Sequence, residues 1–182
     1  WSLDPRGTKG AIFPVQLELK SGAGMGPEGF PGDYKIGAYY DNTRNELKNG
    51  LGQRTGRAGY FFMAHQQVYH DSEDTQRGLG AFAPFTSAQR STAQIASWIG
   101  AGLIYTGPFA ARPEDTLGLG YIRAKINKQL IWSHVAVAPE LLDDSEGFPD
   151  AESLFELEYG FKVNRFLIIR PDLQYIRDPG VY

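Results

Sequence analysis

A chain of 182 residues with 42% hydrophobic and 13% aromatic content is long enough for one sizeable core and too rich in aromatics to be disordered, so residues 1–182 are read as a single domain. A net charge of -3 excludes the basic surface that nucleic-acid backbones require, and the absence of cysteine excludes disulfide frameworks and thiolate metal sites while suiting passage through an oxidising periplasm. No run approaches the roughly 20 apolar residues of a membrane-spanning helix, and the opening Trp1-Ser2-Leu3-Asp4-Pro5 lacks the basic-then-apolar order of an export signal, which is expected to have been removed or to lie outside this sequence.

In chain order, about eight segments alternate apolar and polar residues between clusters of Gly, Pro, Asn and Asp, the pattern of an all-β protein. Strands are predicted over 11–20, 33–41, 59–70, 78–85, 95–106, 116–124 and 154–163, and over 167–175 after a tight turn at Asn164. The third is the least regular, because Gln66 interrupts an apolar face made of Tyr60, Phe62, Ala64 and Val68. The seventh is the clearest, with Phe155, Leu157, Tyr159, Phe161 and Val163 on one face. The connections 42–57, 86–94 and 125–152 read as long and polar, and 71–76, 107–114 and Asn164 as short, with 21–32 an exception in length. Alternation of that kind is expected where successive turns lie on opposite sides of a membrane. A short helix is expected over 135–142, limited by Pro139.

Strand parity collects a polar face: Gln16 and Glu18 on the first strand, Lys35 and Asp41 on the second, His65 and Gln67 on the third, Glu156, Glu158 and Lys162 on the seventh, and Arg170, Asp172 and Gln174 on the last. Alternation alone also fits a soluble sandwich. Three features point to a transmembrane barrel with these residues on its inner wall. Tyr or Phe stands near many strand ends (Tyr34, Tyr40, Tyr60, Tyr69, Tyr105, Phe109, Tyr121, Phe161, Phe166, Tyr175), as in an interfacial girdle. Charges occupy consecutive positions of one face, which a watery lumen accommodates and a packed core does not. The connections alternate in length.

The stretch GAGLIYTGPFAARPEDTLGLG at 100–120 resembles a signature of the carbohydrate-selective porin family, as do EYG at 158–160 and PDLQYIRDPG at 171–180. Weaker similarity runs through 59–69 and 78–85. The resemblance implies an antiparallel transmembrane β-barrel of about sixteen strands in the bacterial outer membrane, of which this chain supplies about eight, matching the C-terminal half without its last strand. It implies passive, carbohydrate-selective diffusion, with mono- or oligosaccharides and outer-membrane lipid as partners, no cofactor, and a homo-oligomer or larger membrane assembly left open. An open sheet exposes backbone edges to lipid, so either the sequence is part of a longer polypeptide, the favoured reading, or other chains complete the wall.

Little here points to chemistry. His65, His70 and His134 have no metal-ligand spacing, adjacent residues of His70-Asp71-Ser72 point apart, and GAGMG at 22–26 is followed by no amphipathic helix that would make it a phosphate loop. Glu156 and Glu158 stand roughly 7 Å apart by strand rise, near a glycosidase separation, but no opposing wall is evident. Two other readings stay open: a small closed barrel of about eight strands serving as an outer-membrane anchor or interaction module, and a soluble sugar-binding sandwich or glycosidase.

Overall fold

In the computed structural model, which describes residues 10–22, 29–47, 49, 51–71, 77–127 and 150–179, the chain forms one antiparallel sheet. Its strands are β1 (Ile12–Ser21), β2 (Gly32–Glu46), β3 (Gln53–His70), β4 (Gly78–Ala88), β5 (Ile95–Thr106), β6 (Thr116–Ile126), β7 (Ala151–Asn164), β8 (Leu167–Ile169) and β9 (Asp172–Arg177). Strands β1 to β8 each pair with their neighbours in sequence, and β9 pairs with β7 alongside β8. Strands β8 and β9 are two pieces of one stave, interrupted at Arg170-Pro171 because proline donates no ladder hydrogen bond. The Pro171 carbonyl still accepts from Tyr159 N at 3.1 Å, so the register holds. At the β7–β8 turn the Asn164 Oδ1 accepts from the backbone of Phe166 at 2.9 Å and Leu167 at 3.1 Å.

The antiparallel path puts joints 22–31, 71–77, 107–115 and 165–166 at one end of the sheet, here the first end, and 47–52, 89–94 and 127–150 at the second. The expected long connection at 42–57 is corrected. Strands β2 and β3 continue through the pairs Arg44↔Thr55, Asn45↔Arg54 and Glu46↔Gln53, leaving only 47–52 as the joint. Polar residues cover both faces of this extension, so its sequence shows no alternation. At its base Asn42 and Thr43 stand against the single residue Gly56, a β-bulge. Gly56 has φ +87°, a conformation L side chains resist, and a Cβ there would meet the Tyr40 ring. Asp41 holds the bulge, accepting from Arg57 Nε at 2.8 Å and Thr43 N at 2.9 Å. The connections expected at 86–94 and 125–152 likewise shorten, because β4 runs to Ala88, β6 to Ile126, and β7 begins at Ala151. The helix expected over 135–142 falls outside the described residues.

Opposed residues share a face, so the register sorts every side chain. One face is apolar across all staves: Leu17, Ile36, Phe62, Phe85 and Ile99 form one row, and Ala81, Leu103, Leu119, Leu157 and Leu173 another. These residues are not covered: Leu17 is 71% and Leu173 70% exposed, while the buried hydrophobics among the described residues are the end-of-strand Ala96, Ile126 and Ala151. A water-soluble sheet with no apolar layer against its apolar face would be unstable, so lipid is the medium this face requires.

Rings gather near both ends of the apolar face. Tyr69 and Tyr105 stack with centroids 6.5 Å apart at the first end, and Tyr121, Phe155 and Tyr175 form a row with centroid spacings of 4.8 and 6.4 Å towards the second. Tyr60 and Tyr69 on β3 are about 30 Å apart along the strand at its usual rise, which a tilt of about 40° brings close to the height of an outer-membrane apolar band. Arg123 and Lys125 appear on this face only near the second end, each 3.9 Å from Asp150.

Candidate functional site

The opposite face carries all twelve residues collected by parity, and it divides into three tracts. On β1 and β2, Glu18 lies opposite Lys35. The Lys35 ammonium is 3.0 Å from Asp33 and 3.7 Å from Glu18, and Lys20 is 3.2 Å from Glu18, an alternating-charge lattice next to Gln16. On β7 to β9, Glu156 lies opposite Gln174 and accepts its amide at 2.8 Å. Glu158 lies opposite Asp172, and Arg170 reaches Glu158 at 3.7 Å. Arg170 therefore serves the carboxylate across the ladder rather than its neighbour Asp172, and the group retains excess negative charge.

Between the two charged tracts lies one that parity did not single out. Phe61 lies over Gly37, Tyr39 over Gly59 and Phe82 over Gly102, each ring occupying the space a Cβ on that glycine would need. Gly37 is opposite Phe61 and Gly59 opposite Tyr39, so rings and glycines alternate across the β2–β3 ladder. Rings flattened on the backbone keep this side of the sheet low. The signal available in sequence was glycine at alternate positions of successive strands, as in Gly100 and Gly102 or Gly118 and Gly120.

Two parity-assigned residues are tied into end structures. Asp41 is 5% exposed and engaged by the bulge. Lys162 pairs through its ammonium with Glu114, and its backbone N donates to Asp115 at 2.9 Å. His65 and Gln67 border a cleft at the first end together with Lys20, Asp33 and Thr106.

Asp115, in the β5–β6 turn, anchors that end. Its carboxylate, 1% exposed, receives the Arg112 guanidinium at both oxygens, Nη2 to Oδ1 at 3.0 Å, together with Tyr159 Oη at 2.6 Å and Lys162 N. Arg112 also donates to the Lys162 carbonyl at 2.8 Å and covers the Phe161 ring at 3.7 Å. The Arg112 bonds, with those from Tyr159 and Lys162 N, hold the Asp115 carboxyl well below the usual carboxylate range despite its burial. Arg77 ties this turn to the preceding one, donating to the Gly107 carbonyl at 3.0 Å and to Asp71 at 3.1 Å. Nothing in residue spacing announced this knot, which explains physically why Arg112 and Asp115 belong in the 100–120 stretch.

An antiparallel sheet with one continuous lipid-compatible face, ring rows near its two ends and a charged opposite face is wall of a transmembrane β-barrel. The chain belongs to the carbohydrate-selective porin, OprB family, whose model matches residues 1–182. It is 33% identical over 197 residues to Porin B of Pseudomonas aeruginosa, covering 96% of this chain and 42% of that protein. It is 28% identical over 202 residues to the putative porin QuiX of Acinetobacter baylyi, covering 99% and 43%. The high-pH structure of Pseudomonas putida OprB matches with a TM-score of 0.88 at 32% identity, covering 100% of this chain and 47% of that one, and the low-pH structure with a TM-score of 0.66 at 31% identity, covering 94% and 44%. The chain thus spans less than half the length of the relatives it matches. Membership of this family places it in the outer membrane of a Gram-negative bacterium.

Proposed function

We propose that this chain forms about half the wall of a longer porin through which sugars diffuse passively, its charged face turned to the lumen and its apolar face to lipid. The observation that carries this reading is an exposed apolar face continuous across every stave, backed by an opposite face that holds the charged ladders of β1–β2 and β7–β9. Charged ladders on the lumen side exchange water for sugar hydroxyls at little cost, and no energy source or bond-making step is required. The protein therefore works as a channel, not an enzyme. A small closed barrel would need β1 to pair with β8 or β9, whereas the sheet order leaves them at opposite edges. We assign the missing strands to the same polypeptide. Liposome swelling with the purified full-length protein tests the reading: neutral sugars enter at rates falling with size, and absence of sugar entry through a folded barrel overturns it.

The second end, which carries the longest joint, 127–150, and the β2–β3 extension beyond the bulge at Asp41, faces the cell exterior, since barrels keep their long loops on that side. A cysteine at Leu51, which is 81% exposed, is expected to react with a membrane-impermeant maleimide on intact cells. One at Asn164 is expected to react only after permeabilisation, and the opposite pattern reverses the topology.

The β7–β9 tract sets ion preference. Removing Arg170 leaves Glu156, Glu158 and Asp172 without the nearby cation, so Arg170→Ala is expected to shift reversal potentials in planar bilayers towards cation selectivity. Asp172→Ala is expected to shift them the other way. Unchanged potentials in both folded variants would remove this tract from the permeation path.

A further inference from the structure

Of the strand residues that the register places on the apolar face, short of the bulge at Asp41, the charged ones are Arg123 and Lys125 on β6 and Arg177 on β9. All three are cations, all stand at the second end, and the two strands that carry them flank the same strand, β7. We infer that this cluster binds, from outside the barrel, the phosphate groups of lipopolysaccharide, the phosphorylated glycolipid of the outer leaflet. The inference rests on the reading above for which face meets lipid and which end meets the exterior.

Depth selects the ligand. Arg123 follows Tyr121, and Arg177 follows Tyr175, by one pleat repeat, so both stand about 7 Å beyond the ring row of Tyr121, Phe155 and Tyr175. Such rings sit where acyl chains give way to headgroups, and the next repeat outward is the level of headgroup phosphate. Ser153 lies between Arg123 and Arg177 in one register row, which sets their α-carbons about 10 Å apart, two strand spacings. Its short side chain is 8% exposed, so nothing on β7 keeps the two long arms from converging on one phosphate. Lys125, one repeat farther out, meets the second phosphate of the same lipid.

The donors of this cluster are not spent. Arg123 and Lys125 each stand 3.9 Å from Asp150, and Arg177 stands 3.5 Å from Asp178, all longer than the about 2.7 to 2.9 Å of a charge-assisted hydrogen bond. Side-chain exposures of 49%, 51% and 71% leave the three heads accessible, and three cations against two carboxylates leave the patch positive among the described residues. A guanidinium presents a planar fork that fits phosphate oxygens, while its stem lies along apolar surface. At the first end the strands carry tyrosines and no charge on this face, so the cluster serves the leaflet that holds phosphorylated glycolipid and not the one that holds phospholipid.

The test titrates deep-rough lipopolysaccharide into the full-length porin in neutral detergent with EDTA and counts bound glycolipid by native mass spectrometry. EDTA removes divalent cations that would otherwise bridge carboxylate to phosphate. Arg123→Gln and Arg177→Gln are each expected to raise the apparent Kd by about three- to tenfold, and the double variant by more. Arg165→Gln, in the β7–β8 turn at the first end, is expected to leave it within about twofold. Lipopolysaccharide stripped of its lipid phosphates, and phosphatidylglycerol, are expected to bind the unmodified protein about tenfold more weakly. An unchanged Kd in the folded double variant, equal binding of either comparison lipid, or loss of binding in EDTA overturns the site, while glucose entry into phosphatidylcholine liposomes leaves the porin reading standing. Reversed labelling at Leu51 and Asn164 puts the cluster in the inner leaflet and overturns the site as well. Absence of glucose entry through the unmodified folded protein overturns the porin reading alone, and the binding series still decides the site.

Discussion

Leu157→Arg and Leu173→Arg are expected to reduce the yield of folded barrel in lipid or detergent sharply, while Glu158→Arg leaves it close to the unmodified level. The register puts Leu157 directly opposite Leu173 on β9 and Leu119 on β6, in the middle of the apolar face and flanked on its own strand by the rings of Phe155 and Tyr159. A guanidinium at that depth costs about 2 to 4 kcal/mol, less towards either interface, because no water can replace its hydration shell. Glu158 is one residue along and therefore on the other face, opposite Asp172, where an arginine meets a carboxylate and solvent. Charge reversal there changes the lumen and not the lipid contact. Folded fraction across a urea series, read from heat-modifiable migration in gels, gives the comparison. Equal transitions for the three variants would refute the face assignment for β7 and β9, and with it the lumen placement of Glu156, Glu158, Asp172 and Gln174.

The faces were legible from sequence because a strand alternates with period two, and lipid on one side with water on the other imposes opposite chemistry on successive residues. That rule fails where its physical cause is missing. Above the bulge at Asp41, both faces of β2 and β3 meet water, the pattern turns polar throughout, and a ladder reads as a loop. The rule is also silent about what a face holds. Phe61 and Phe82 stand on the charged side with Met63 and Trp98, and a ring folded over a glycine one strand away looks in sequence like any apolar residue out of step. Parity found Asp41 and Lys162 but not their employment, since Arg57 and the β5–β6 turn that occupy them are brought close only by the sheet.

The Arg112–Asp115 knot is the clearest case of structure adding what spacing lacked, because Asp115 binds Tyr159 and Lys162, 44 and 47 positions further on. It closes the first end by joining the β5–β6 turn to the C-terminal part of strand β7, and Asp115→Asn is expected to loosen that end. An amide at this position keeps the shape but loses the charge that Arg112 meets with a two-pronged fork, and it turns one acceptor into a donor facing Tyr159 Oη or Lys162 N. The effect should exceed that of Glu114→Gln, whose carboxylate is 67% exposed and whose pair with Lys162 is a surface contact of small worth. Arg112→Lys is expected to fall between them, since an ammonium keeps the charge without the planar fork or the cover over Phe161.

The acid response isolates the carboxylate. With its folded pKa depressed below the ordinary 3.8, Asp115 stabilises the fold fully above that value and loses the contribution as pH falls from there towards the folded pKa. The unmodified protein should therefore hold its heat-modifiability temperature from neutrality to about pH 4 and decline below it. Asp115→Asn should start lower, decline less over the same acid range, and approach the unmodified curve at the acid limit. Two curves displaced by a constant amount at every pH would mean that shape alone holds the turn, and that the charge on Asp115 has no part in closing this end of the wall.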